Sequence, residues 1–196
     1  MSKDKSSKLN TLLQSKLDRP VVLLGMMGAG KSRLGKKLAE QLNLPFHDAD
    51  HEIEAAADMT IPEIFEKHGE AAFRDGEKRV IARLLDNGPQ ILALGGGAFT
   101  NEETRAEIHK KGISVWLDVE LDELVERVNR KPGKRPLLAG VDAKAKLIEL
   151  LADRGPVYAQ ADIRATLSRA DHSKAVKQIK QCLKDYLMAQ DNQAES

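Results

Sequence analysis

Short apolar runs alternate with longer amphipathic segments along most of the chain. The apolar runs have the length of buried strands, whereas the amphipathic segments repeat apolar residues at steps of three and four. This pattern predicts strands at Val21–Leu24, Pro45–His47, Gln90–Leu94, Ile113–Leu117 and Ile163–Thr166. It predicts helices at Lys31–Leu42, Ile61–His68, Glu70–Leu85, Asn101–Lys110, Leu121–Asn129, Ala143–Ala161 and Ser173–Met188. Strands and helices in this alternation indicate a parallel α/β sheet.

Two stretches interrupt the alternation. Residues 48–85 are too long and too helical for a simple crossover, and residues 130–141 are rich in proline, glycine and cations. Because α/β sheets bind ligands beyond the carboxyl ends of their strands, we expect a substrate-binding insert and a mobile lid there. Both belong to a single domain predicted over residues 19–188. We expect residues 1–18 to be a flexible tail that could hold a short helix at Leu9–Leu17, and residues 189–196 to be disordered.

Composition narrows the class of protein. The 196 residues carry a net charge of +1 and only 4% aromatic residues, which disfavours nucleic acid as a partner. No apolar stretch reaches the roughly 20 residues that span a bilayer, so no membrane association is expected. The sole cysteine, Cys182, cannot form an internal disulfide and suits a reducing cytoplasm. A monomer is the default expectation.

Residues Gly25–Ser32 read GMMGAGKS and match the phosphate-binding loop pattern G-x-x-x-x-G-K-[ST]. The loop follows a predicted strand and precedes a predicted helix, the context in which backbone N–H groups and the helix N-terminus can hold phosphate. The alternative is a glycine-rich turn before an ordinary helix. The predicted ATP contacts are Gly28, Ala29, Gly30, Lys31, Ser32, Arg33 and, from the lid, Arg135. Lys31 would reach the β- and γ-phosphates, and Ser32 would ligate Mg²⁺.

Two carboxylates, Asp48 and Asp50, end the second predicted strand. Residues two apart in an extended chain face the same side, so the pair could serve Mg²⁺ and an acceptor hydroxyl together. The alternative is that Asp50 caps a helix, since acidic residues follow it; both roles are compatible. The third strand lacks a closing carboxylate, which leaves Asp48 as the source of metal ligation.

Arginines and glycines supply the remaining candidates for a substrate site. Arg74 could form a surface ion pair with Glu77, or be held by Glu77 as a fork for a substrate carboxylate. Three consecutive glycines, Gly95, Gly96 and Gly97, indicate either a close approach to the backbone or several positive φ angles. Arg154 is a further candidate for binding an anion. Residues 130–138 are either a basic surface loop or a lid that carries Arg135 to the phosphates.

The order and spacing of these motifs resemble the shikimate kinase family. The matching segments are GMMGAGKS, DAD at 48–50, IPEIFEKHGEAAFRDGE at 61–77, LGGG at 94–97, RPLL at 135–138 and the segment around Arg154. The resemblance runs from about Pro20 to about Leu187. Its specific part is the FRDGE segment followed by the three glycines, because phosphate loops are widespread.

The resemblance implies a three-layer α/β/α fold with a five-stranded parallel sheet, and ATP-dependent phosphorylation of the 3-hydroxyl of shikimate on the route to aromatic amino acids. Asp50 would hold the acceptor hydroxyls and serve as the candidate base. Arg74 and Arg154 would grip the shikimate carboxylate, with Gly96 against the ring and Gly95 and Gly97 beside it. Arg135 would contact the phosphates, and Ser32 and Asp48 would hold Mg²⁺. Residues 168–173 lack the proline that the family often carries near the adenine, although Arg169 could stand in.

Two other functions stay open on the residues alone. A related kinase for gluconate or a nucleoside monophosphate could use the same fold, and gluconate also offers a carboxylate and hydroxyls. A non-catalytic ATP-binding module would need the phosphate loop but no carboxylate to orient an acceptor.

Overall fold

The computed structural model describes residues 2–130, 140–167 and 171–194. Its sheet has five parallel strands in the order β2-β3-β1-β4-β5. The strands are β1 (Val21–Leu24), β2 (Phe46–Asp48), β3 (Ile91–Ala93), β4 (Ile113–Val119) and β5 (Ile163–Leu167). Helices flank this sheet, which confirms the predicted α/β fold.

Eight α-helices are present in the described residues. They are α1 (Ser2–Lys16), α2 (Lys31–Leu42), α3 (Ala49–Ala57), α4 (Ile61–Leu85), α5 (Glu102–Lys111), α6 (Leu121–Asn129), α7 (Ala143–Tyr158) and α8 (His172–Ala194), with a short 3₁₀ turn at Ala98–Thr100. The two helices predicted between residues 61 and 85 are both present and join end to end in α4. Gly69 still interrupts it with non-helical angles, φ 79° and ψ 174°, so α4 bends at the predicted boundary.

The register of the central strands sets the position of the loops. Strand β1 lies between β3 and β4, and all four of its side chains are fully buried, which explains why its sequence is apolar without alternation. Leu23 pairs with Ala93, and Ala93 pairs with Asp48. The phosphate loop, the three glycines and the acidic pair therefore begin at nearly the same level, at the carboxyl ends of neighbouring strands.

The first 18 residues do not form the flexible tail that we expected. Helix α1 packs Leu13 and Leu17 into the core with 0% and 5% of their surface exposed. On α8, Lys180 is buried and donates to Asn10 Oδ1 at 2.8 Å and to Gln41 Oε1 at 2.6 Å. This lysine joins α1, α2 and α8, so the N-terminal segment is part of the folded domain.

The C-terminal tail is likewise shorter than expected. Helix α8 continues to Ala194, so most of the predicted disordered segment 189–196 is helical, and residues 195–196 lie outside the described residues. Asp191, near the C-terminal end of α8, forms an ion pair with Lys16 of α1. Contact with α1 therefore extends into the segment that local polarity marked as a tail.

Among the described residues, none of the helices combines the length and apolar character that crossing a membrane requires.

Candidate active site

The phosphate loop adopts backbone angles that favour glycine. Gly25, Gly28 and Gly30 have φ angles of 138°, 86° and 93°, and α2 begins directly after Gly30. A β-carbon at Gly25 would also lie 2.8 Å from the Leu117 carbonyl oxygen of the neighbouring strand. Lys31 Nζ donates to the carbonyl oxygens of Gly25 at 2.8 Å and Met26 at 3.2 Å, so its ammonium group lies against the loop.

The acidic pair lies next to this loop. Asp48 Oδ2 accepts a hydrogen bond from Ser32 Oγ, and Asp48 Oδ1 accepts one from the backbone N–H of Asp50 at 3.2 Å. Asp48 is therefore the N-cap of α3, whereas the sequence analysis considered Asp50 for that role. Burial raises the pKa of Asp50, Asp48 raises it further, and Lys31 opposes both effects.

The oxygens of Ser32 and Asp48 suit a hard cation such as Mg²⁺. The described residues contain no group of three or more His, Cys, Asp or Glu side chains that could hold a metal. Mg²⁺ does not require such a cage, because it commonly binds one or two protein oxygens together with phosphates and water. The donor set thus fits Mg²⁺ held jointly with a nucleotide.

The three glycines after β3 make room for charged side chains. A β-carbon at Gly95 would lie 2.7 Å from Asp50 Oδ1, one at Gly96 would lie 3.2 Å from Arg154 Nη1, and one at Gly97 would lie 3.2 Å from Arg74 Nη1. None of the three has a positive φ angle, so close approach is the reason for glycine here. The segment 95–97 therefore brings Asp50, Arg74 and Arg154 to one place, and we call it the glycine loop.

The glycine loop also adjoins the phosphate loop. A β-carbon at Gly96 would lie 3.9 Å from the carbonyl oxygen of Gly25. Asp50 connects the two regions as well, since it faces Gly95 and its pKa responds to Lys31. An acceptor held by the glycine loop would thus lie beside phosphates held by the phosphate loop.

Arg74 and Glu77 do not form a solvated surface pair. Glu77 is 4% exposed, and its Oε2 accepts a hydrogen bond from Arg74 Nη1 at 2.7 Å. Glu70 binds the same guanidinium from the solvent side, at 3.3 Å. Burial raises the pKa of Glu77, and the ion pair with Arg74 opposes that rise. The buried carboxylate therefore holds the arginine in place against Gly97.

Tyr158 is a functional candidate that the sequence analysis missed. Its hydroxyl donates to the carbonyl oxygen of Gly96, its side chain is 1% exposed, and its ring centroid lies 6.0 Å from that of Trp116. Burial raises the pKa of Tyr158, and Arg154, four residues earlier on α7, partly opposes that rise. The only signal in the sequence is the four-residue spacing between Arg154 and Tyr158.

Arg127 is a second missed residue. Its Nη1 donates to the carbonyl oxygens of Gly28 at 3.1 Å and Ala29 at 3.0 Å, and its Nη2 pairs with Glu123 at 2.5 Å. In the sequence, Glu123 and Arg127 show only the four-residue spacing of an ordinary surface pair on a helix. Nothing local marked this pair as a neighbour of the phosphate loop.

Some predicted residues do not join these two clusters. Arg33 is exposed on α2 and, together with Lys37 and Arg127, contributes to lowering the pKa of His172 at the start of α8. Arg135 and the central part of the predicted lid, 131–139, lie outside the described residues, as does Arg169.

Comparison with known proteins tests the class of enzyme that this geometry indicates. A family model described as shikimate kinase matches residues 27–184. The chain belongs to the shikimate kinase family. This membership confirms the resemblance drawn from the motifs, the phosphotransferase class and the use of ATP as co-substrate.

Individual relatives agree with the family assignment. A shikimate kinase from Rhodopseudomonas palustris is 56% identical over 172 residues, covering 88% of this chain and 84% of the relative. One from Bradyrhizobium diazoefficiens is 53% identical over 169 residues, covering 86% and 81%. A solved shikimate kinase from Acinetobacter baumannii, in complex with shikimate, superposes with a TM-score of 0.82 at 34% identity, covering 90% of this chain and 97% of that structure.

Proposed function

We propose that this chain transfers the γ-phosphoryl group of ATP to the 3-hydroxyl of shikimate, giving shikimate 3-phosphate and ADP. The observation that carries the proposal is the convergence of Asp50, Arg74 and Arg154 on the glycine loop, beside the phosphate loop. Two guanidinium groups next to a carboxylate suit an acceptor that carries both a carboxylate and hydroxyls. Family membership and a shikimate-bound relative support the same acceptor.

The nucleotide end of the site would hold the triphosphate by backbone and charge. The N–H groups of Gly28, Ala29 and Gly30 and the N-terminus of α2 favour an anion, and Lys31 would neutralise the β- and γ-phosphates. Ser32 and Asp48 would hold Mg²⁺, which offsets phosphate charge when bound. Arg33 and Arg135 stay proposed as phosphate contacts from the sequence; for Arg135 the proposal rests on the lid pattern and on the family resemblance.

The acceptor end would orient a hydroxyl toward the phosphate. Arg74 and Arg154 would bind the carboxylate, and the glycine loop would let the ring approach the backbone. Asp50 would accept the hydrogen bond of the attacking hydroxyl and take up its proton as the phosphoryl group transfers. Because the protein does little covalent work in phosphoryl transfer, this positioning supplies most of the rate.

The proposal also covers the segments around the site, the oligomeric state and the cellular compartment. Residues 48–85, which contain α3 and α4, would act as the acceptor-binding insert, and residues 130–141 as the lid. A monomer stays the default expectation for the oligomeric state. The enzyme would work in the cytoplasm, where the single Cys182 stays reduced.

The direct test is ADP release from ATP and Mg²⁺, with shikimate, gluconate and CMP offered separately. We expect release with shikimate alone, and a loss of about 10³-fold or more in Lys31→Met, since that ammonium acts on charge that develops in the transition state. The Lys31→Met variant should keep the circular dichroism spectrum of the unmodified protein.

Each alternative gives a different result in the same assay. Release with gluconate or CMP would replace shikimate as the acceptor. ATP binding without release for any acceptor would favour the non-catalytic module. Near-normal turnover by Lys31→Met would contradict the assignment of the phosphate loop.

A further inference from the structure

We propose that Arg127, anchored by Glu123, is a positioning residue that holds the phosphate loop in its phosphate-binding shape before the nucleotide arrives. The inference rests on the proposed ATP site and adds to it a side chain that acts through the backbone of that site. Its basis is the pair of hydrogen bonds from one guanidinium nitrogen to two successive peptide carbonyls, those of Gly28 and Ala29.

The geometry of a trans peptide turns these contacts into control of the amides. The carbonyl of one residue and the N–H of the next point in opposite directions. With the carbonyls of Gly28 and Ala29 tied to Arg127, the N–H groups of Ala29 and Gly30 face away from α6. Successive N–H groups that face one side form the concavity that binds phosphate.

One of these amides is already seen to point into the loop. The N–H of Ala29 donates across the loop to the carbonyl oxygen of Met26 at 3.1 Å. Lys31 Nζ donates to that same oxygen at 3.2 Å. The amide and the ammonium group therefore converge from two directions on a single acceptor, and a phosphate oxygen could replace that acceptor for both donors.

The loop needs such a restraint because of its glycines. Gly28 and Gly30 occupy positive φ angles, a region that glycine enters and leaves at little cost, so their peptide planes are easily reoriented. A β-carbon at Gly30 would lie 3.6 Å from Arg127 Nη1, so the absent side chain also leaves space for the guanidinium. The planar guanidinium of Arg127 therefore contacts the loop where its glycine backbone is most easily reoriented.

Glu123 fixes the direction of that fork. It is 7% exposed, and its Oε1 accepts the hydrogen bond from Arg127 Nη2. Its other oxygen, Oε2, is buried and has no hydrogen-bond partner among the described residues. Burying a carboxylate is costly unless it is paired, so we infer that the pair is kept for the orientation it gives Arg127.

The test compares two ligands that share phosphates but differ in the base. Arg127→Lys keeps the positive charge but loses the planar fork, so a change in affinity reports geometry and not charge. We expect its Kd for inorganic tripolyphosphate and its Kd for ATP to rise by the same factor, about tenfold for the two lost hydrogen bonds. Glu123→Gln should shift both constants in the same direction by less. Isothermal titration calorimetry measures both.

Hydrogen exchange of the protein without nucleotide gives the second readout. In Arg127→Lys, peptides that cover residues 25–32 should exchange faster than in the unmodified protein, with the rest of the sheet unchanged. The matched control is Arg105→Lys, because Arg105 Nη1 also donates to two successive carbonyls, those of Phe99 at 3.1 Å and Thr100 at 3.2 Å. That variant should keep its tripolyphosphate affinity.

Two outcomes would overturn the inference about Arg127, and a third would overturn the ATP site on which it rests. If ATP affinity falls while tripolyphosphate affinity and loop exchange stay constant, Arg127 contacts the nucleoside directly and does not act through the loop. If loop exchange rises with both affinities unchanged, the contact is structural only. If the unmodified protein binds neither ligand, the proposed ATP site itself fails, which is a different result from a failure of Arg127.

Discussion

Gly95, Gly96 and Gly97 contribute to the site through the space that their missing side chains leave. A β-carbon at each position would lie within 3.2 Å of a charged group of the proposed acceptor site: Asp50, Arg154 or Arg74. A larger residue at any of these positions would displace a charged side chain of the proposed site, in addition to disturbing the packing. The glycine loop is therefore a functional element, although it carries no functional side chain.

Gly95→Ala should lower kcat by about tenfold or more, with the fold intact. The new methyl would lie 2.7 Å from Asp50 Oδ1 and would displace the carboxylate that orients the hydroxyl. Steady-state kinetics and thermal unfolding separate the two effects. The control is Gly76→Ala on α4, where no atom lies within 4 Å of the new methyl, so activity should persist and stability should rise slightly. Unchanged kcat in Gly95→Ala would contradict the role of the glycine loop.

Arg74→Lys should raise the KM for shikimate by about tenfold while the KM for ATP stays nearly constant. An ammonium group cannot bind Glu77 and a carboxylate with the planar geometry of a guanidinium. The control is Arg79→Lys on the same helix, because Arg79 is 73% exposed and pairs only with Asp75 among the described ion pairs. A rise in the KM for ATP alone would mean that Arg74 contributes to binding ATP and not to binding shikimate.

His172 should make the protein sensitive to acid. Burial and the cations Arg33, Arg127 and Lys37 lower its pKa in the fold, with Asp171 opposing them. Below about pH 6.5 the unfolded chain therefore binds a proton that the folded chain resists, so protonation favours unfolding.

His172→Gln should consequently lose less Tm than the unmodified protein between pH 7.5 and pH 5.5. The control is His68→Gln, because His68 is exposed on α4. Parallel Tm curves for His172→Gln and the unmodified protein would show that the cation cluster does not destabilise protonated His172.

Helix α1 acts as an element of the core and not as an appendage. Leu13→Ala should lower the free energy of unfolding by about 2–5 kcal/mol, because it removes a fully buried side chain from the contact of α1 with the rest of the core. Denaturant titration measures the loss. Thr11→Ala, on the exposed face of the same helix, should change little. Equal stability of the two variants would mean that α1 is not docked in solution.

The sequence predicted most elements because their signals are local. Strand β1 and helices α2 and α6 begin and end where the hydrophobic pattern placed them. Helix α3 was expected only as an alternative that began at Asp50, without bounds, because Asp48 ends β2 and caps the helix at once, which leaves no loop for the pattern to show. Helix α1 was underestimated because Leu13 and Leu17 are buried by distant parts of the chain.

The same distinction applies to the residues of the site. Asp50, Arg74 and the glycine loop could be proposed from their residue types and spacing, whereas Arg154 was only a candidate anion binder until the family resemblance suggested its role. Arg127 and Tyr158 could not be proposed, because their partners lie 99 and 62 residues away in the sequence and contact them through backbone carbonyls. A role that consists in holding a main chain leaves no motif.

For the whole molecule, strand order decides how the two halves of the site meet. Strand β1 leads into the phosphate loop and β3 leads into the glycine loop, and the two strands are neighbours in the sheet although paired residues such as Val21 and Ile91 lie 70 positions apart in the sequence. The fold therefore brings the proposed nucleotide-binding and acceptor-binding loops together at the ends of adjacent strands. The order β2-β3-β1-β4-β5 was not predicted, because the hydrophobic pattern carries no pairing information and the family resemblance was used only for the number of parallel strands.

The indole of Trp116 gives this arrangement an optical signal of its own. A β-carbon at Gly25 would lie 3.5 Å from its Cδ1, and the ring also adjoins Tyr158, which holds the glycine loop, and the guanidinium of Arg164. Trp116 is the single tryptophan of the chain, so its intrinsic emission comes from one known place between the two loops. Titration with ATP and titration with shikimate should each change that emission. No change at saturation with both ligands would contradict the expected coupling of Trp116 to the two loops. The enzyme thus carries a built-in fluorophore for following ligand binding without a label.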